Sequence, residues 1–481
     1  MLDVSDLQHG PVATVATVAI EELAPRLRGM LLRAGDDGYD AIRRTWNGRI
    51  DRKPAAIARC AGVGDVIAAV KFARNNNIPF SVRGTGHNVS GCAVRDGGLT
   101  IDLSLMKGIR IDPARRLGRV QAGATWGDFD HETQAFGLAT TGGRISTTGV
   151  AGLTLGGGYG WLMRKCGLAV DNLVSADIVT ADGDHLVASE KENSDLFWGI
   201  RGGGGNFGIV TSLQFRLHPI GPLVMGGMVF YPATRARELL YFYRSFMASA
   251  PDDLTALFNF LIAPAAPFVP PHLRGVPVVA IAVCHAGSLE DAERDLAPLR
   301  EIGPPLLHRI KPRRYTSVQR MFDAAGEFGY QVFGRCGHLA DLGDEAVDTV
   351  LAHATHVTSP FSIVMISPLG GAVGRVGEHD TAFSYRSTAF DIAIDSVWRD
   401  PFDSARHIDW TLGFWEAMRP FVAGVYVNEL GEEGEDRVRE AYNPTTYERL
   451  VALKGKYDPQ NLFCSNQNIK PGSSHKGGYT C

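Results

Sequence analysis

Three glycine-dense segments constrain this chain most: RGTGHNVSG at 83–91, the stretch 142–160 that contains LGGGYG, and RGGGGNFG at 201–208. Glycine reaches positive φ freely and lets main chain approach a neighbour closely, yet it weakens a helix or strand by roughly 0.5–1 kcal/mol relative to alanine. The 56 glycines are gathered into such runs rather than spread as a linker or collagen-like repeat. The segment 142–160 is therefore predicted to be a loop, its side chains being too small for an ordinary helix or a packed strand. Three such segments in one N-terminal half exceed what turns require. They point to several stretches of backbone wrapped around one long ligand.

Between the glycine runs, hydrophobic periodicity gives a coarse map. Ala56–Arg59, the amphipathic Val63–Asn75 and Pro79–Val82 read as strand, helix and strand, with the two strands parallel because the helix supplies the crossover. Leu99–Leu103 adds a strand, Ile109–Ile111 and Arg119–Ala122 form a hairpin, and Trp126–Phe136 is helical. Asp182-Gly183 joins Ala176–Ala181 to His185–Ala188 as a second hairpin, and a short helix at Ser194–Trp198 precedes a strand at Ile209–Leu217. From about Gly221 longer apolar strands (Met225–Tyr231, Val278–Val283, Phe361–Ile366) alternate with helices such as Leu289–Glu301, which indicates an antiparallel sheet. Asn443-Pro444 opens a last helix, Thr445–Lys456.

A chain of 481 residues is long enough for two or three domains. The expected architecture is α+β: an N-terminal segment 1–39, a first domain 40–220, a second domain 221–440, and a C-terminal segment 441–481 that returns to the first. A formal net charge of -4 and no stripe of Lys and Arg argue against nucleic acid as a partner. No stretch is long and apolar enough to span a membrane, and the N-terminus lacks a secretory layout. The seven cysteines are odd in number and never spaced CxxC, which argues against a disulfide framework and a zinc site. No metal is expected, and a cytoplasmic, reduced setting is.

Singly, each glycine motif is weak. RGTGHNVSG follows a predicted strand and offers backbone N–H groups suited to a pyrophosphate, but a plain tight loop reads equally well. No Gly-Lys-Ser/Thr follows it, and Val89 occupies the third-glycine place of a dinucleotide fingerprint. Gly203, Gly205 and Gly208 spell GxGxxG, but between a helix and a strand, the reverse of the order dinucleotide binding needs.

Taken together, RGTGHNVSG, GVAGLTLGGGYGWLMRKCGLAVDN, LFWGIRGGGGNFGIV and the late YDPQNLFCSNQNIKP resemble, in order and spacing, the FAD-linked oxidases of the vanillyl-alcohol oxidase superfamily. Within it, the berberine-bridge-enzyme-like branch is the nearest in pattern. The resemblance runs from about Trp46 to Pro471. It implies a two-domain PCMH-type FAD-binding fold, a substrate domain built on an antiparallel sheet covered by helices, and a site between the domains. It also implies FAD held by a single covalent link, because the family's histidine that bonds the flavin 8α-methyl carbon falls on His87. A histidine that only caps the loop is the alternative.

Matching implies cofactor contacts at Arg83, Gly84, Thr85, Gly86, Asn88 and Gly91 in the first glycine segment. It implies others at Thr148, Gly149, Gly152, Gly156, Gly157, Gly158 and Tyr159 in the second, at Ile209 and Val210 after the third, and at Asn466 and Asn468 in the tail. For the two asparagines a fold-only role is the alternative. Many relatives add a second link from a cysteine; here Ile145 stands at that place, and Cys166 reads as a small buried residue. Leu153 replaces the family's flavin-facing histidine, and Thr148 replaces the usual valine or leucine where the family sets oxygen access.

The resemblance implies an FAD-dependent oxidase that removes two electrons from a small organic substrate, by hydride transfer to flavin N5 with dioxygen as acceptor. Alcohols, phenols, sugars, alkaloid-like amines and polyketide-like compounds are the candidate classes. Such chemistry needs a base within hydrogen-bond reach of the substrate proton. Relatives often place a carboxylate on a substrate-domain strand, where this chain has Met365. Their YxNY segment matches Tyr426-Val427-Asn428-Glu429, which makes Tyr426 or Glu429 the candidate base, with Asn428 and Thr148 completing the catalytic set. A packed aromatic and a solvated strand-end acid are the alternatives. Thr148 also admits a flavin-dependent dehydrogenase or oxygenase of secondary metabolism, and Met365 a flavin-binding protein without turnover.

Overall fold

The computed structural model describes residues 20–472; residues 1–19, within the expected N-terminal segment, and 473–481, including Cys481, lie outside this range. The first sheet contains β1 (Met30–Leu32), β2 (Ala56–Arg59), β3 (Phe80–Arg83) and β4 (Leu99–Asp102) in the order β1-β2-β4-β3. The helix Val63–Asn75 connects β2 to β3, burying Val66, Ala69, Val70, Phe72 and Ala73. β2 and β3 run parallel, as a helical crossover requires, but β4 lies between them and pairs with both. Placing β4 there buries all four of its residues.

The hairpin β5 (Ile109–Asp112) and β6 (Leu117–Gln121) begins a second, antiparallel sheet. The two-residue β7 (Leu138–Ala139) stands apart from it, and β8 (Leu173–Val179), β9 (His185–Ser189) and β10 (Ile209–Arg216) complete it in the order β5-β6-β10-β8-β9. The β8–β9 turn takes Gly183 into the left-handed region at φ 75°. β11 (His218–Pro219) pairs with β7.

The third sheet is antiparallel and nine-stranded. It comprises β12 (Leu223–Pro232), β13 (Leu254–Ile262), β14 (Pro277–His285), β15 (Leu307–His308), β16 (Lys311–Arg314), β17 (Gln331–Leu339), β18 (Ile363–Pro368), β19 (Phe390–Trp398) and β20 (Val422–Gly424). The helices Ala236–Ser249, Asp344–Ala354 and Ser404–Met418 cover one of its faces, with Leu239, Tyr243, Val347, Val350, Phe414 and Trp415 buried beneath them. Side chains alternate along a strand. On β19, Ile392 and Ile394 are fully buried toward the helices, which leaves Asp391, Ala393 and Asp395 for the opposite face. Register places Met365 beside Ala393 and Ser367 beside Asp391, so these side chains share that face. The architecture is α+β, as expected.

Three local expectations change. The segment 142–160 is not loop throughout: Val150–Leu155 is a helix that buries Val150, Ala151, Thr154 and Leu155. Thr154 Oγ1 donates back to the carbonyl of Val150 (2.7 Å), and tertiary burial outweighs the poor propensity of its small residues. The expected helix Leu289–Glu301 divides into Leu289–Asp295 and Pro298–Glu301, because Pro298 carries no N–H to continue the first and starts the second instead. β18 begins at Ile363, two residues later than Phe361.

Candidate functional site

The first glycine segment leaves β3 as a loop held from beneath. The guanidinium of Arg83 is buried and donates to Asp102 Oδ1 (3.0 Å) and to the carbonyl of Thr85 (3.3 Å), so it supports the loop rather than offering free charge. A Cβ at Gly86 would meet that guanidinium at 3.1 Å, one at Gly84 the carbonyl of Ala122 at 3.2 Å, and one at Gly91 the Ile50 side chain at 2.5 Å. Asn88 Oδ1 accepts from the N–H of Ser90 (2.9 Å) and its hydroxyl (2.6 Å), closing the turn.

His87 is half-buried at the tip of this loop. Its ring stacks on Trp46 at 5.2 Å and meets the edge of Phe328 at 5.7 Å, while Nε2 lies 3.0 Å from Thr147 Oγ1. Burial pushes the imidazole down to about 4, so at neutral pH a ring nitrogen keeps its lone pair. Trp46 is itself fixed: its N–H donates to the carbonyl of Gly86 (2.8 Å) and its indole Nε1 to that of Gly326 (2.9 Å). Sequence matching picked out His87 but neither Trp46, Phe328 nor Thr147.

The three glycine segments converge. A Cβ at Gly149 would lie 2.7 Å from Thr85 Oγ1, which joins the second segment to the first. The N–H groups of Gly202 and Gly204 both donate to the carbonyl of Leu155 (3.0 and 2.9 Å), which joins the third to the second. The carbonyl of Thr148 accepts from Trp126 N–H (2.9 Å). Ile209 and Val210 are buried in β10 opposite Val179 and Ile178. Asn466 Nδ2 donates to the carbonyl of Gly205 (3.2 Å), and both Asn466 and Asn468 keep a buried Oδ1 without a partner.

Gly156 and Gly157 are needed for close approach to the segment 426–428, and Gly158 for close approach to Ala169. A Cβ on Gly156 would fall 2.1 Å from Asn428 Oδ1; Gly157 (φ 133°) abuts Phe383 and Tyr426, and Gly158 (φ 91°) abuts Ala169. The Tyr426 hydroxyl accepts from Gly158 N–H (2.8 Å) and from Asn428 Nδ2 (2.7 Å), which also donates to the carbonyl of Leu153 (2.8 Å). The Tyr426 ring stacks on Tyr159 at 4.0 Å. Burial raises the Tyr426 phenol well above its usual range. Gly152 differs from these glycines: it is exposed, and a Cβ there would meet nothing within 4 Å.

Glu429 is not a solvated strand-end acid. It closes the 3-10 turn Val427–Glu429 with a buried Oε2 that has no partner; burial, then Asp391 and Asp395, push its carboxyl well above the usual range, and Arg144 opposes them. Burial and Asp391 lift Asp395 to about 7. Arg144 Nη1 reaches Met365 Sδ (3.0 Å) and Ser367 Oγ (3.1 Å), and its Nε has no partner. His338 lies between the Tyr159 hydroxyl (3.4 Å) and Asp391 (3.3 Å). The carboxylates absent at Met365 thus stand one strand over, on β19. Reading Met365 alone missed Asp391, Asp395, Arg144 and His338. The signal was present in FDIAID at 390–395, where two acids four apart on a strand share a face.

The remaining matched positions have other neighbours. A Cβ at Gly326 would meet the Ile145 side chain at 2.5 Å, and one at Gly143 would lie 3.4 Å from Leu153. Cys166 is a free thiol packed beside the cluster that holds Trp161 and Tyr315, and burial raises it to about 12.

Residues 54–189 match the FAD binding domain family, and residues 425–470 match the berberine and berberine like family. The chain is 33% identical over 464 residues to the (R)-6-hydroxynicotine oxidase of Paenarthrobacter nicotinovorans, covering 93% of this chain and 98% of that one. It is 30% identical to an FAD-linked oxidoreductase of Dictyostelium discoideum, covering 95% and 98%. Among solved structures, 6-hydroxy-D-nicotine oxidase from Arthrobacter nicotinovorans superposes with a TM-score of 0.83 at 31% identity, covering 92% of this chain and 98% of that one. The xylooligosaccharide oxidase from Myceliophthora thermophila, at 23% identity with a TM-score of 0.83 and coverage of 95% and 100%, shares the fold.

Proposed function

Because the chain belongs to the berberine-bridge-enzyme-like branch of the FAD-linked oxidoreductases, we propose that it holds FAD covalently through His87 and oxidises a small organic amine, with dioxygen as electron acceptor. The residues suit the cofactor. Gly152 borders open space where a Cβ would touch nothing, and Asn466 and Asn468 offer buried acceptor oxygens that lack a donor. His87 stays neutral, as a nitrogen that forms a bond to carbon must, and the Trp46 stack with the Thr147 hydroxyl fixes its ring.

Bound FAD supplies a two-electron acceptor, and the protein supplies position and proton transfer. Asp395, lifted to about 7, has the proton affinity of a general base near neutral pH. Burial, then Asp391 and Asp395, raise the Glu429 carboxyl well above its usual range, which favours its protonated, hydrogen-bond-donating form. Tyr426 suits the base role poorly: its hydroxyl already accepts two hydrogen bonds, and burial makes it harder to ionise. Its task is to hold the glycine backbone at 156–158 in place.

The observation that carries the substrate class is the grouping of Asp391, Asp395 and the guanidinium of Arg144 around Glu429. With Glu429 favouring its neutral form, Asp391 and Asp395 still outnumber the guanidinium of Arg144, which favours a cation, and a protonated amine is the cation this chemistry can use. Asp395 would take the proton from nitrogen, and the freed lone pair would assist hydride departure from the adjacent carbon, giving an iminium product. That a 33% identical relative is named for a hydroxynicotine supports the reading. The test is anaerobic bleaching of the flavin by a panel of secondary amines, alcohols and sugars, followed by readmission of air. Amines alone should bleach it, and air should restore the colour with release of peroxide. Bleaching by sugars or alcohols but not amines would refute the substrate class, and flavin left reduced in air would refute dioxygen as acceptor.

A further inference from the structure

The whole-chain charge conceals a basic stripe that composition argued against: 309–320 reads RIKPRRYTSVQR, with five Lys or Arg residues and no acid. β16 and the helix Tyr315–Gln319 bring part of this stripe to one wall of a cavity of about 660 Å³, whose other wall is the helix Trp126–Gln134. That volume lies within the range of about 300–1,000 Å³ usual for small-molecule sites. Arg313 donates Nε to the carbonyl of Gly226 (3.1 Å) and Nη2 to that of Arg309 (3.1 Å), which fixes the guanidinium without any carboxylate partner. Arg314 has no side-chain hydrogen bond or ion pair among the described residues. Arg320 lines the same cavity with its Nε donating to Asp323 Oδ2 (3.1 Å), and Thr316 and Ser317 add hydroxyls to its wall.

The floor carries a second feature. Gln319, 1% exposed, donates Nε2 to Asp130 Oδ2 (2.9 Å), yet its Oε1 is buried without a partner. An acceptor left bare at the base of a basic cleft suits a ligand with an anionic end and a donor elsewhere, since a buried unpaired polar atom otherwise costs stability.

We propose that this cleft is a second binding site, separate from the flavin site, for a phosphate group, free or carried by a small hydroxylated metabolite. Arg313, Arg314 and Arg320 take the phosphate oxygens, for which the planar guanidinium fork is well matched. Gln319 Oε1 accepts a hydrogen bond from a hydroxyl on the body of the ligand. Asp130 is the one carboxyl in the lining, and it and Asp323, which pairs with Arg320 just outside it, oppose the anion.

The experiment is calorimetric titration of the flavin-loaded protein with inorganic phosphate and with ribose 5-phosphate, at constant ionic strength. Both should bind saturably. Ribose 5-phosphate binding about tenfold tighter, the equivalent of one hydrogen bond, would identify a phosphorylated metabolite, and equal affinities would identify free phosphate; either supports the site. Arg314→Glu, on an exposed side chain, should weaken both at least about tenfold, and Asp130→Asn should tighten both. No saturable binding of either ligand, or binding unchanged by Arg314→Glu, would overturn the proposal.

Discussion

Replacing Asp395 by Asn probes both the chemistry and the energetics of the site. A base with a pKa of about 7 is ionised above neutrality and idle below it. Wild-type kcat/KM should therefore rise about tenfold per pH unit on the acid side and level off above about pH 7. An amide cannot accept the proton. In Asp395→Asn, anaerobic flavin reduction followed by stopped flow at about pH 8 should fall by roughly 10²–10⁴-fold, and the acid limb should vanish. The same carboxyl affects stability in the opposite sense. Its folded value lies above the unfolded value of about 3.9, so the native state binds the extra proton. Its stabilising contribution is full below about pH 4 and is lost as pH rises through about 7. Three pKa units at about 1.36 kcal/mol each put the loss at roughly 4 kcal/mol by about pH 8. Denaturant unfolding of the flavin-loaded variant should then show it more stable than wild type at about pH 8, by up to that amount, with the difference closing toward about pH 4. An unchanged reduction rate would remove Asp395 from the chemistry. A slower variant with no gain in stability at alkaline pH would refute the reasoning that burial and Asp391 raise its pKa.

Three further substitutions test the cofactor side. His87→Ala should keep the fold but release its flavin on acid precipitation, and colour that stays with the pellet would mean that another residue makes the bond. Thr147→Val removes the hydroxyl 3.0 Å from His87 Nε2 while the Trp46 stack remains; mass spectrometry should find a smaller covalently loaded fraction, and full loading would show the hydroxyl to be dispensable. Tyr426→Phe preserves the stack on Tyr159 but strips Gly158 N–H of its acceptor and leaves Asn428 Nδ2 only the carbonyl of Leu153. It should cost about 1–3 kcal/mol of stability and slow flavin reduction by less than about tenfold, and slowing of about a hundredfold or more would restore Tyr426 as the base.

The amino-acid sequence by itself determined the elements whose signals are local. The helix Val63–Asn75, the strand Ala56–Arg59 and the Asn443 cap on the final helix are each specified by residues within a few positions of one another. The glycine segments and the His87 loop were legible for the same reason, since their side-chain requirements are written consecutively. Tertiary structure alone decided the insertion of β4 between β2 and β3, because strand order depends on partners that the intervening helix does not specify. It also decided that Val150–Leu155 is helical, where burial overrides composition. The acid cluster is the clearest case. Alternation in FDIAID places Asp391 and Asp395 on one face, but the raised proton affinity of Asp395 comes from desolvation and then from Asp391, and the carboxyl of Glu429, raised in the same cluster, arrives from a distant part of the chain. Periodicity encodes which way a side chain points; what surrounds it, and therefore whether it holds a charge, is a property of packing.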